Sequence, residues 1–352
     1  MKKVLLALTI VLSSVATTLF AQNTDTVRIG DQEAMLAERL YNEGIALYEE
    51  GDFAQAAGKF DEAISIREDF YQAYYNRGVV TAAKGDYRQA IADYNIAISG
   101  EPGFSMAYFS RGLARAEMGR PAEAIEDYTQ AINYDVQNYL AHYYRGILHY
   151  ENGRYGDAIN DFTDAISINA GFAYAYNDRG SAQRMQGDLQ AAASDYQQAL
   201  LLDNTLYFVY NNLGSVRIQQ ENNREAIELF STAIRLSPDY YKALKNRSLA
   251  YKKMGDYESA LTDINHVIEA DEDNATAFNI RGTIHYRMQN YQKAVDDHSR
   301  AIEHDPEFGA AYLNRGIAKE MLRDQRGAIN DWEKALEMGL TQAREYIDSS
   351  NR

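Results

Sequence analysis

The feature that most constrains this chain is a period of thirty-four residues, written nine times in succession without an insertion. Each copy is marked by a glycine, at Gly44, Gly78, Gly112, Gly146, Gly180, Gly214, Gly282 and Gly316, with Ser248 holding that slot in the seventh copy. Twelve residues after every anchor stands alanine, from Ala56 and Ala90 through Ala294 and Ala328; nineteen after it alanine returns in eight copies, Val267 being the exception. A unit this short has an apolar face and nothing of its own to bury it against, so copies must stack on their neighbours. The 352 residues are then one repeat array rather than the two or three globular domains their number would otherwise suggest.

Within a copy the apolar spacing is helical. The first helix runs from a few residues before the anchor to a second glycine seven after it (Gly51, Gly85, Gly119, Gly153, Gly187, Gly255), where a left-handed helix end is expected. An aromatic four before the anchor (Tyr74, Tyr108, Tyr176, Tyr210, Phe278, Tyr312) shares the anchor's face and is expected to be buried with it. A glycine inside a helix costs about 1 kcal/mol against alanine. Its recurrence therefore asks for close approach, and the alanines of the second helix are the expected partners. That second helix opens on capping residues, Asp52, Asp86, Asp188, Asn222, Asp256 and Asn290, or on Pro121 at the first helical position; Pro102, Pro238 and Pro306 fall where it must stop.

This period and this order of aromatic, glycine, alanine, aromatic and alanine resemble the tetratricopeptide repeat (TPR), of the type found in exported bacterial proteins. The resemblance implies an all-α fold, a TPR superhelical solenoid of nine helix-turn-helix repeats over 37–339. A capping helix and frayed tail are expected over 340–352, from the helical spacing of Leu340, Ala343 and Ile347. Residues 22–36 read as a linker and lead-in, with helical spacing beginning near Asp31. Residues 1–21 read as a signal peptide: Lys2 and Lys3, an apolar run from Val4 to Val15, then Leu19-Phe20-Ala21 before the cleavage point. An uncleaved anchor is the other reading of that run, though it is shorter than the roughly 20 residues a spanning helix needs.

An exported protein of the periplasm or envelope, or one secreted, is thus expected, with no membrane segment after cleavage. Zero cysteine excludes a disulfide framework and a thiolate metal site, and leaves stability to packing. Removing Lys2 and Lys3 moves the formal charge from −16 to −18, which disfavours nucleic acid as a partner.

Comparison of the copies with one another yields one contact directly. The residue before the anchor is arginine in seven copies (Arg77, Arg111, Arg145, Arg179, Arg247, Arg281, Arg315), and the same seven carry aspartate fifteen after it (Asp93, Asp127, Asp161, Asp195, Asp263, Asp297, Asp331). The first copy reverses the charges with Glu43 and Lys59; the sixth replaces both with Leu213 and Leu229. Matching of sign and polarity within a copy predicts an ion pair across the two helices of each repeat, bidentate where arginine supplies it.

The stripe left over on the first helix lies two, three and six before the anchor and one, four and five after it. In TPR proteins such a stripe lines a concave groove that holds a peptide or protein, so its residues are the candidate partner-binding set. The first copies place Tyr75, Phe109, Tyr143 and Tyr150 there, the middle ones Asn177, Asn211, Asn212 and Asn246, and the seventh and eighth Lys242, Lys245, Lys252, Lys253 and Arg287. The lysines read either as a solvated basic face or as a subsite for an acidic segment or a C-terminal carboxylate. Lys245 with Asn246 resembles the family's carboxylate clamp in part, with Leu249 where the clamp has a second asparagine. The asparagines could hold a peptide backbone or bond among themselves, and the tyrosines could meet a partner or pack between copies.

No HExxH, GxSxG, Walker loop or GxGxxG is present. His142 takes the slot of a buried aromatic and His298 that of the second-helix aromatic, so both read as core residues rather than ligands. No cofactor or metal is implied, and the chain reads as a non-catalytic interaction scaffold or adaptor, the alternative being a glycan- or peptidoglycan-binding module.

Overall fold

The computed structural model of the chain describes residues 29–350. The signal peptide expected over 1–21 and most of the linker lie outside the described residues. Among those described, the chain is entirely helical, with nineteen α-helices and no strand. They follow as α1 (Ile29–Glu49), α2 (Phe53–Ile66), α3 (Tyr71–Ala83), α4 (Tyr87–Gly100), α5 (Ser105–Glu117), α6 (Pro121–Tyr134), α7 (Tyr139–Glu151), α8 (Tyr155–Ile168) and α9 (Ala173–Met185). Then come α10 (Leu189–Leu202), α11 (Tyr207–Gln219), α12 (Asn223–Leu236), α13 (Tyr241–Met254), α14 (Tyr257–Ala270), α15 (Ala275–Arg287), α16 (Tyr291–His304), α17 (Gly309–Met321), α18 (Gln325–Glu337) and α19 (Ala343–Ser350). Odd-numbered helices up to α17 carry the anchors, and within each unit they pack on the even-numbered helix that follows. Two compact units meet in sequence at Ala182 and Gln183, inside α9. The first unit stacks the helix pairs α1–α8 and the second the pairs α11–α18, closed by α19.

Both ends are helical within the expected ranges. The first helix begins at Ile29, so the lead-in is already helical, and the capping helix starts at Ala343 and continues through Asp348 to Ser350. Leu340 precedes it in a turn and packs in the terminal cluster with Trp332, Tyr346 and Ile347. The stacking of Tyr346 on Trp332 holds the segment that composition alone suggested would fray.

Helix termini follow the local chemistry, with instructive exceptions. Asp52, Asp86, Asp188, Asn222 and Asp256 accept a hydrogen bond from the backbone N–H three residues on, as N-caps do; Asn290 makes no such bond. The glycines seven after the anchor are left-handed, and Glu221, Gln289 and Arg323 adopt the same positive φ in the copies that lack glycine. The turn is therefore imposed by how the two helices must pack, and glycine only relieves its local cost.

The alanines twelve and nineteen after the anchor are buried, as stacking requires. They are not what the anchor glycine faces most closely. A Cβ built on Gly44, Gly78, Gly112, Gly146, Gly214 or Gly282 would lie 2.6–2.8 Å from the ring sixteen residues later, Phe60, Tyr94, Tyr128, Phe162, Phe230 or His298. The glycine is thus a seat for an aromatic ring. The seventh copy supports this internally: where Ser248 replaces glycine, the opposing residue is the smaller Ile264, and the Ser248 hydroxyl donates to the Ala260 carbonyl.

His298 occupies one of these ring seats, fully buried, and burial pushes its imidazole pKa down to about 3. The folded state therefore binds a proton less readily than the unfolded chain, and the stability this neutral ring contributes is complete above pH 6.5 and lost as pH falls toward 3. Between pH 7.5 and 5 the native protein should lose about 2 kcal/mol more than His298→Phe does. Denaturant titrations of both proteins at the two pH values check this, and equal losses would mean that the ring is not buried neutral.

Candidate functional site

Six of the seven predicted arginine–aspartate pairs are seen within the two units, and they reach further than expected. The Nε and Nη2 of Arg77, Arg111, Arg145, Arg247, Arg281 and Arg315 donate to both oxygens of the aspartate sixteen residues later, at 2.6–3.2 Å. The reversed pair Lys59–Glu43 is present at 3.1 Å. The remaining guanidinium nitrogen, Nη1, crosses to the second helix of the preceding repeat: to Asp61 and Asn95 at 2.6 Å, to Ser231 at 2.8 Å and to Asn265 at 2.9 Å, with Thr129, Thr163 and Ser299 at 3.1 Å. Each of these six arginines therefore fastens its own repeat and ties it to its neighbour. The aromatic four before the anchor lies over this guanidinium, with ring centroids 5.2–5.6 Å from Arg77, Arg111, Arg179, Arg281 and Arg315. It is accordingly half-buried in most copies rather than packed in the core with the anchor.

The core position is the next one along, three before the anchor, and this corrects the groove assignment. Tyr75, Phe109 and Tyr143 are buried, each 5.8 Å from the ring seated on its own glycine. Tyr75 and Tyr143 also meet the aromatic that opens the next copy, Phe104 and Phe172, at 4.8 Å. At about 100° per residue, the positions three and four before the anchor differ by a third of a turn, and neighbouring repeats close over the former.

Where that slot is polar it bonds across repeats. The Asn246 amide donates to Asn211 at 2.8 Å, Asn314 to Asn279 at 3.0 Å, Asn76 to the Tyr41 hydroxyl at 2.8 Å, and the Tyr143 hydroxyl to Asp178 at 2.7 Å. Asn177 is buried and donates to Asp178, and Asn212 accepts from Asn211. The asparagines thus form internal rungs. Tyr150 is half-buried against Tyr155.

With the position three before the anchor removed, the stripe two and six before and one, four and five after it remains, and in the second unit part of it lines a pocket. Lys252 of α13, Thr283, Tyr286 and Arg287 of α15, and Asn314 and Ile317 of α17 line a cavity of about 360 Å³, floored by His298 and bounded by Tyr346 of α19. Lys252 and Arg287 of the predicted basic set enter it. Lys242 and Lys253 are exposed and Lys245 is half-buried, and none of these three lines the cavity.

Lys252 donates to the Thr283 hydroxyl at 3.1 Å, and Thr283 donates in turn to the Ile280 carbonyl. No carboxylate lines the pocket. Burial first, and then the charges of Arg287 and Lys253, hold the Lys252 ammonium below the ordinary lysine range. Six of the lining residues sit on stripe positions that the period identifies; Tyr346 has no periodic signal, since it belongs to the cap.

His142 is buried, as its slot predicts, with Nδ1 3.5 Å from Asp164 and 3.9 Å from Asp161. Both oxygens of Asp161 already accept from Arg145. No described helix is long and apolar enough to cross a membrane.

Models of the tetratricopeptide repeat match residues 41–105, 82–135, 109–171, 145–205, 211–275 and 275–308, which together exceed half the chain. The chain belongs to the tetratricopeptide repeat family. Among solved structures, this TPR protein is similar to a tetratricopeptide repeat protein from Parabacteroides merdae, at 21% identity and a TM-score of 0.54 over 72% of this chain and 97% of that one. It is similar also to the C-terminal part of a TPR repeat-containing protein from Cytophaga hutchinsonii, at 17% identity and a TM-score of 0.56 over 68% and 98%. A third is Pseudomonas aeruginosa pilF, at 16% identity and a TM-score of 0.52 over 58% and 94%. These likenesses show the shared fold alone. No curated protein matches the chain. TPR repeats are interaction scaffolds, typically non-catalytic.

Proposed function

We propose that this TPR protein is a non-catalytic adaptor of the bacterial cell envelope that holds a segment of a protein partner along the open stripe of its second unit. An acidic group of that segment is anchored at Lys252 and Arg287. The observation that carries the reading is the half-buried ammonium of Lys252, whose one hydrogen bond is to a neutral hydroxyl. Two cations elsewhere near the core each have a carboxylate: Lys319 is 2.8 Å from Asp331, and Arg115 is 2.8 Å from Asp127. A buried charge without a counter-ion is costly unless a partner supplies one. The envelope location is supported by Lys2, Lys3 and the apolar run that follows. The glycan reading loses Tyr75, Phe109 and Tyr143 as stacking platforms, because all three are core residues.

A photo-crosslinking residue placed at Thr283 in living cells should give a discrete protein adduct that Lys252→Glu abolishes, while the same residue at Glu333, exposed on α18, should give none. Equal labelling from both positions, or none from either, would overturn the scaffold reading. Osmotic-shock fractionation of the full chain against a variant lacking residues 2–21 tests the location: both remaining in the cytoplasm would refute export.

A further inference from the structure

We propose that the Lys252 pocket is a phosphoryl socket, taking the tetrahedral dianion of a phosphate monoester between Lys252 and Arg287. This rests on the reading of the pocket as an anionic anchor and names the anion. Charge is the first argument. Two cations line the cavity with no carboxylate among the lining residues, and neither Lys252 nor Arg287 has an acidic partner among the described residues. A monoanion would leave one cation uncompensated, whereas a phosphate monoester carries about −1.5 to −2 at neutral pH.

Donor supply is the second argument. Lys252 has three N–H groups and directs one at Thr283; Asn314 has two and directs one at Asn279. Arg287, Tyr286 and Tyr346, each with polar hydrogens to give, line the same space. That set suits three terminal oxygens rather than the two of a carboxylate. Size is the third. The 360 Å³ cavity exceeds a bare oxyanion, and its lining also includes Ile317, Tyr286 and Tyr346, residues with apolar bodies that suit the carbon body of an ester.

The chain carries its own reporter. Its single tryptophan, Trp332, is buried and stacked 5.3 Å from Tyr346, whose ring bounds the pocket. Full-length protein would be titrated with O-phosphoserine, inorganic phosphate, sulfate and acetate at constant ionic strength. Trp332 fluorescence would be read, and calorimetry would decide wherever fluorescence is silent.

Phosphoserine should bind saturably and several-fold more tightly than inorganic phosphate, and acetate should not bind over the same range. Lys252→Gln and Arg287→Gln should each weaken phosphoserine at least tenfold. From pH 5 to 7.5 phosphoserine affinity should rise with the ester's second ionisation near pH 6, while sulfate stays level. The titratable and charged groups facing Lys252 are Lys253 on its own helix, Arg287 and Tyr286 of α15, Tyr346 of α19 and His298 of α16, and burial raises Tyr286 above the ordinary tyrosine range. His298 of α16, at about 3, stays neutral.

Acetate matching phosphoserine, wild-type affinity in both variants, or a pH-independent phosphoserine affinity would overturn the socket. Inorganic phosphate binding as well as the ester would reduce it to a free-phosphate site. If phosphoserine fails but the Lys252-dependent adduct at Thr283 persists, the anchor stands and only its chemical assignment falls. Loss of both removes the anchor itself.

Discussion

Asp263→Leu is expected to lower the local stability of α13 and α14 by about 3 kcal/mol, and the double variant Arg247→Leu with Asp263→Leu to recover most of that loss. Asp263 is 4% exposed, and its two oxygens accept from Arg247 at 2.7 and 2.8 Å, so its removal strands a guanidinium whose side chain is only 19% exposed. Breaking one side of such a pair costs about 3–5 kcal/mol, while replacing both sides by apolar groups is often near neutral. The sixth repeat already contains the apolar form, with Leu213 and Leu229 in these slots.

The seventh repeat is the place to do this. In the third, Arg115 reaches Asp127 as well as Arg111 does, and in the ninth Lys319 shares Asp331, so a single deletion there strands two cations. Because an array need not unfold as one unit, amide hydrogen exchange in α13 and α14 is the measurement. A double variant as damaged as the two single variants added together would show that the contact does not set stability. Loss of Arg247 should also loosen α12, through the bond from its Nη1 to Ser231.

Gly112→Ala should destabilise the third repeat by about 2 kcal/mol, against the gain of about 1 kcal/mol that alanine brings to an ordinary helix. The added Cβ would lie 2.6 Å from the Tyr128 ring and 3.2 Å from the Asp127 Cβ, and Tyr128 is buried with no room to retreat. In a Tyr128→Ile background the same substitution should become neutral or stabilising, reproducing the Ser248 and Ile264 arrangement. A double-mutant cycle by hydrogen exchange reads this coupling directly. Additive effects would place the reason for the glycine elsewhere, for instance in the alanines that the repeat pattern first suggested.

What could be read from the chain alone was whatever recurs. The thirty-four-residue period fixed the helix pairs, their capping aspartates, their left-handed turns and the buried alanines, because each copy solves the same packing problem with the same residues. Covariation among nine copies exposed the arginine–aspartate contact, since a buried carboxylate tolerates only a matched partner.

Three things required coordinates. The assignment of Tyr75, Phe109 and Tyr143 to core rather than surface turned on one helical position, which a stripe about 100° wide does not resolve. The third arm of each arginine points into the preceding copy, where aspartate, asparagine, threonine and serine all accept it and so leave no single residue type to notice. The pocket around Lys252 joins three repeats to a cap that obeys no period, and its unmatched ammonium becomes evident only when every neighbouring side chain is in place. Sequence determines which surfaces must be covered; only the stacked structure decides which charges remain without a partner once they are.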